Sequence, residues 1–207
     1  MIIPNSPTFS VLPFHEAGPV RFAWLSFPEF STEIIALREQ VYVQEQGMTN
    51  LPLTTPKDEG GLHLGAFIEE ELVSVISAYS YRAQAPYLQQ IGLPSPFRSA
   101  TQLSCRVTSH PWRGTQLALW MGCKIWLQAI DLWQPDYHFL VLKPQHFGLA
   151  AYYKSVGYRD YTSEENRRVL WIPRALMAET TAAIQHLLVS SEAKMKDRLS
   201  VGFTVNP

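Results

Sequence analysis

Residues 109–118, SHPWRGTQLA, set a Pro-Trp-Arg-Gly turn directly before the apolar run LWMGCKIWLQAIDLW. A turn that opens a helix leaves the first four backbone N–H groups without internal partners, and the helix dipole adds about half a positive charge there. Such an end can hold an anion, phosphate above all, with Arg113 placed for a charge-assisted contact and Gly114 letting the anion approach the backbone. The same stretch is also a routine strand-to-helix joint, and the residues alone leave both readings open. Cys105 with His110 would be a different chemistry, a thiol nucleophile activated by a neighbour. No nucleophile signature surrounds Cys105, and there is no Gly-x-Ser-x-Gly elbow. His63, His138 and His146 are dispersed and no His-Glu-x-x-His occurs, so no metal site is expected.

Positioning the loop takes a strand before it and a helix behind it. Residues 101–107 have strand character, and 114–133 form the helix, apolar because it must pack on a sheet. Upstream, 20–27 is expected as a strand. A helix follows over 31–47, with Ser31 or Thr32 as N-cap and Ile34, Leu37, Val41 and Glu45 at helical spacing. Residues 62–81 hold two β-type runs joined by Glu69-Glu70-Glu71, which predicts a hairpin. Residues 83–98, with three prolines, are expected as a long excursion. Downstream come a short strand at 137–144, a helix ending at Gly157, a strand at 167–173 and a last helix at 174–196. The order β-α-β-β-β-α-β-α-β-α argues for one α/β domain over 1–207, a mixed sheet with helices on its faces, and an irregular segment at 1–18.

Composition narrows the partners. A net charge of −1 with scattered Lys and Arg excludes a nucleic-acid footprint. No apolar run reaches the ~18 residues of a membrane span. The proline-broken N-terminus lacks a basic n-region and is not expected to be a signal peptide, so a soluble cytoplasmic protein is expected. Cys105 and Cys123 form no Cys-x-x-Cys pair, which favours reduced thiols. The apolar C-terminal helix is a candidate homodimer face.

Three segments in order resemble the GNAT superfamily of N-acetyltransferases. RGTQLA lies where that family carries its Arg/Gln-x-x-Gly-x-Gly/Ala phosphate loop, between the fourth strand and third helix. YHFLVLKPQHFGLAAYYKSVGYRDY is similar to its fifth strand and fourth helix, with Tyr153 four residues before Gly157-Tyr158. IIALREQVYVQEQGM resembles the first helix of the autoinducer synthase and N-acyl amino acid synthase branch. The similarity covers roughly residues 20–160. One departure is Gln116, which stands where the loop has its first Gly.

The resemblance implies a mostly antiparallel GNAT-like sheet and transfer of an acetyl or longer acyl group from acyl-CoA to a primary amine. It places the pyrophosphate on Arg113, Gly114, Thr115, Gln116, Leu117 and Ala118, and the thioester carbonyl on the strand backbone near Val107 and Thr108. Tyr153 is then the acid for the leaving thiolate, since a phenol with pKa near 10 matches that proton transfer. Glu45, two helical steps past Leu37 on the Ile34 side, is the candidate base, its pKa raised if apolar neighbours surround it; the alternative is an exposed helix-end carboxylate. Gln102 and Ser104, at period two on one sheet face, can orient an amine or a water. Arg38 and Arg106 match arginines of the autoinducer synthases, and each can hold a substrate carboxylate or pair with Asp58 or Glu45. Gln116 keeps open a non-catalytic acyl-thioester-binding or interaction module. The first-helix similarity keeps open a synthase that takes its acyl group from acyl carrier protein.

Overall fold

A computed structural model describes residues 20–48, 51–93, 96–113, 115–143, 147–164 and 167–200. The expected irregular segment at 1–18 and the loop residue Gly114 lie outside the described residues.

Seven strands form one sheet in the order β1-β2-β3-β4-β5-β7-β6. They are β1 (Val20–Leu25), β2 (Leu62–Ile68), β3 (Glu71–Arg82), β4 (Ser99–Thr108), β5 (Tyr137–Leu142), β6 (Arg159–Glu164) and β7 (Arg167–Pro173). Every neighbouring pair is antiparallel except β4–β5, which is parallel. That parallel ladder has three pairs, Ala100–Tyr137, Thr101–His138 and Gln102–Phe139. Beyond Gln102 the two strands part, β4 running on to Thr108 against β3 and β5 to Leu142 against β7. Backbone groups on the opened edge of β4 therefore lose their ladder partners and turn toward the gap.

Helix α3 (Gln116–Trp133) packs between one face of the sheet and α5 (Arg174–Ser200), with α4 (Phe147–Ser155) beside it. Being covered on two sides explains why α3 is apolar almost all round: Trp120, Met121, Ile125, Trp126 and Ala129 are all buried. The opposite face carries α1 (Phe27–Arg38), the 51–60 loop and a short α2 (Pro86–Ile91). The apolar stripe of the C-terminal helix, expected as a dimer face, packs through Met177, Ile184 and Met195 into the core shared with α3.

Four local features differ from expectation. Helix α1 begins at Phe27, not at Ser31 or Thr32, because Pro28 sits in the first turn where its missing N–H is harmless; non-helical dihedrals at Phe30 kink it just before the expected start. From Glu39 to Glu45 the helix continues with π winding. Bonding to i+5 in place of i+4 moves Glu45 off the stripe of Ile34, Leu37 and Val41, which are buried while Glu45 is exposed. The excursion at 83–98 contains α2, with Pro86 in its first turn and Gly92 at φ 74° after its end. The seventh strand, β6, was hidden by its polar composition, which suits a sheet edge.

Candidate functional site

The gap between β4 and β5 opens into a cavity of about 280 Å³ between α3, α4 and α5. Leu103 and Arg106 of β4, Gly122 of α3, Tyr152 and Tyr153 of α4, and Ile184 of α5 line it. Arg106 reaches this side through a β-bulge: Val75 pairs with Val107 and Ser77 with Ser104, so two residues of β4 oppose Ile76 alone. The bulge leaves Ser104 and Val107 on the α1 face and sends Arg106 to the cavity. Simple alternation would have kept Arg106 with Gln102 and Ser104.

At the mouth, residues 110–112 form a 3₁₀ turn and Thr115 caps α3. Its hydroxyl accepts from the Leu117 N–H at 3.3 Å and donates to the Trp112 carbonyl at 2.8 Å. Leu117 is buried and Ala118 lines the cavity. The Gln116 side chain, present where glycine was expected, carries a buried Oε1 with no hydrogen-bond partner, an arrangement that costs free energy until something donates to it. Arg113 donates from Nε to the Thr108 carbonyl at 2.9 Å and from its terminal nitrogen to Glu45. Sequence reasoning assigned Arg113 to the anion and Glu45 to the amine; the fold joins them. The apolar surroundings expected for Glu45 are thereby replaced by a guanidinium and by the Gln40 amide at 3.2 Å. Val107 and Thr108 are tied to β3 through Ser74, whose hydroxyl lies 3.0 Å from the Val107 carbonyl and 2.8 Å from the Thr108 hydroxyl.

Deeper in the cavity stands Tyr153, 9% exposed, its ring edge-on to Tyr152 and Tyr158 at 5.2 Å from each. Burial pushes its pKa up while the Arg106 charge pulls the other way, so the phenol stays protonated at neutral pH. Gly157 sets the Tyr153–Tyr158 contact. It adopts φ +104° after α4, and the Tyr158 N–H returns to the Tyr153 carbonyl at 3.1 Å; a Cβ at 157 would meet Thr180 Oγ1 at 2.6 Å. Behind them the Trp126 indole and the Tyr158 hydroxyl are buried against each other, and His138 Nε2 is buried without a hydrogen bond. His138 meets Thr101 Oγ1 through Nδ1 at 2.6 Å, and burial depresses its pKa to about 3. The buried Cys123 thiol, pushed up to about 11 by burial, is inert at neutral pH. The Cys105 side chain lies outside the described residues, and His110 is exposed.

The remaining candidates lie on the α1 and α2 face. Arg38, 1% exposed, forms a two-pronged ion pair with Asp58 at 2.9 Å on both prongs and donates to the Leu53 carbonyl at 2.8 Å. Those contacts turn its guanidinium inward, away from any substrate carboxylate. Gln102 accepts from Tyr81 and donates to Tyr87; Ser104, half-buried, stands opposite Ser77 on the same face. Sequence reasoning missed Tyr81, Tyr87 and Lys57 around Gln102. The aromatic residues at alternate positions of β3 were the available signal.

No family model and no curated protein matches the sequence. Solved structures do match in fold. An acyl-CoA N-acyltransferase from Pseudomonas aeruginosa superposes with TM-score 0.57 at 18% identity, covering 73% of this chain and 98% of that one. An N-acyl amino acid synthase from uncultured soil microbes gives 0.58 at 14% identity, over 82% of this chain and 98% of its own. A CoA-dependent acyl-homoserine lactone synthase, solved with SAM and isopentyl-CoA, gives 0.55 at 14% identity, over 82% and 92%. The chain has the GNAT acyltransferase fold.

Proposed function

We propose that the protein is an N-acyltransferase that passes an acyl group from acyl-CoA to a primary amine by direct attack. The observation that carries this reading is the parting of β4 from β5 over a cavity that has a helix N-terminus at its mouth and a protonated tyrosine inside. The residues fit such a donor. The cavity of about 280 Å³ offers room for the thiol-bearing arm, with Thr115 and Ala118 of the α3 N-terminus in its lining. The first-turn amides of α3 beyond the one that Thr115 caps, together with Arg113, suit a pyrophosphate.

In this reading the opened edge of β4 near Val107 and Thr108 donates an N–H to the thioester carbonyl as charge develops there. The amine nitrogen bonds to that carbonyl carbon, the carbon–sulfur bond breaks, and Tyr153 gives its proton to the leaving thiolate. The proton lost by the amine passes to Glu45 or to a water. Engaging Arg113 with pyrophosphate requires it to leave Glu45, which frees that carboxylate as the donor binds. A second reading, a non-catalytic acyl-thioester binder, is favoured by the same Arg113–Glu45 bond and by Gln116 in the loop.

Calorimetry with acetyl-CoA, octanoyl-CoA and free CoA tests the premise. Micromolar binding, roughly −8 kcal/mol, that is lost in Arg113→Glu is the expected result. Binding without turnover over a broad amine panel would favour the second reading. No binding by any of the three removes CoA as the donor and makes acyl carrier protein the next one to try.

A further inference from the structure

Where β4 and β5 make their last pair, on the face opposite the cavity, an ammonium sits against two tyrosine side chains. Lys57 Nζ lies 4.3 Å from the ring centroid of Tyr81 and 4.2 Å from that of Tyr87, and donates to the Tyr81 hydroxyl at 2.7 Å. The cage has supports of its own. Tyr81 donates to Gln102 Oε1 at 2.5 Å, and Gln102 Nε2 donates to the Tyr87 hydroxyl at 3.2 Å. The two rings lie 5.5 Å apart and rest on Phe139 at 5.9 and 6.3 Å. Phe139 is the β5 partner of Gln102, so the cage is fastened to both strands at the point where they part. Lys57, by contrast, comes from the loop ahead of β2 and is half-buried.

Aromatic rings are electronegative on their faces, so the Tyr87 ring set beside the Tyr81 hydroxyl favours a cation over an anion or a neutral polar group. A hydroxyl able to accept, set at the same point, selects an N–H-bearing cation. Both requirements describe a primary alkylammonium on a flexible stem, which is what Lys57 presents.

We propose that Tyr81, Tyr87 and Gln102 form the subsite for the acceptor's alkylammonium group, and that Lys57 occupies it as a built-in competitor. The word acceptor rests on the N-acyltransferase reading; the cage rests on its own geometry. The acceptor class that follows is an aliphatic amine with an unbranched approach to its nitrogen, of the lysine side-chain or diamine kind.

NMR titration with n-butylammonium separates the two claims, because it needs no turnover. Lys57→Ala should bind n-butylammonium at least about fivefold more tightly than the wild type, since an aromatic pair must no longer give up its own cation. Lys57→Arg should stay as weak as wild type. In the Lys57→Ala background, Tyr87→Phe should keep the gain and Tyr87→Leu should lose it, with melting curves confirming that each variant is folded. Equal affinity in wild type and Lys57→Ala, no binding by either, or a gain that survives Tyr87→Leu would overturn the subsite. Failure of all three CoA ligands to bind, with the n-butylammonium pattern intact, would instead remove the acyltransferase reading and leave the ammonium site standing.

Discussion

The two faces of the sheet bury their polar groups in different company. Under α1, Asp58 is fully enclosed and receives two bonds from Arg38, one from the Tyr79 hydroxyl at 2.6 Å and one from the Thr55 N–H at 2.7 Å. His63 bridges Ser77 and the Asp58 carbonyl at 2.8 Å on each side. Burial alone would raise the Asp58 pKa, but the bonds from Arg38, Tyr79 and Thr55 outweigh it and hold the carboxyl below its ordinary value. Under α3 and α4, His138 Nε2 and Gln116 Oε1 are buried without hydrogen bonds, and a cavity lies alongside. A network that satisfies itself holds a shape. On the other side, empty volume lies beside polar atoms that the fold leaves unbonded.

The largest effect expected from this contrast is on stability. Asp58→Ala strands the Arg38 charge in the interior and should cost about 3–5 kcal/mol in urea denaturation; a loss below about 1 kcal/mol would mean that the network is not what holds α1 to the sheet. Acid should find the same weakness. His63 and His138 are held neutral chiefly by burial, with folded pKa values below the ordinary 6.5. Their contribution is complete above about pH 6.5 and falls as pH drops toward the folded values, by up to ~1.4 kcal/mol per pH unit for each. Asp58, with its pKa depressed, contributes above about pH 4 and loses that contribution as pH falls through its folded value. Unfolding curves between pH 7.5 and about 2 check both steps.

On the cavity side, the expected effects fall on function and leave stability nearly intact. Tyr153→Phe should lower kcat by about 100-fold on an accepted amine while acyl-CoA affinity holds; unchanged turnover would end its role as acid. Gly122→Leu is a sharper probe of the volume itself. A Cβ there meets only Arg106 Nη1, at 3.9 Å, and replacing glycine within a helix gains roughly 0.5–1 kcal/mol. The melting temperature should therefore hold or rise while acyl-CoA affinity falls about tenfold. A variant that melts early would show the cavity to be packing space. The smallest effect is at the mouth. Glu45→Gln releases Arg113 from an ion pair worth about 0–1 kcal/mol and should tighten acyl-CoA binding up to about fivefold. Weaker binding would place Glu45 among the groups that hold the donor.

Local chemistry explains what was legible in advance. The 62–81 hairpin, the apolar α3 and the turn after α4 at Gly157 each follow from side-chain period or from a single residue's backbone freedom, and each can be read over a few residues. The strand-to-helix turn was legible for the same reason: Pro111, Gly114 and the apolar run lie next to one another. Edge strand β6 and the α2 helix escaped because their polar or proline-rich composition outweighed their pattern.

The sequence by itself determined the order of the elements except α2 and β6, and the position of the turn that opens α3. Only the tertiary structure decided which partner each charged residue would have. Arg38 meets Asp58 across 20 residues, Lys57 meets Tyr81 across 24, and Arg113 meets Glu45 across 68. Such pairings depend on how strands register and helices wind, and one extra residue in β4 or one π-wound turn after α1 redirects a side chain to the other side of the sheet or off its helical stripe.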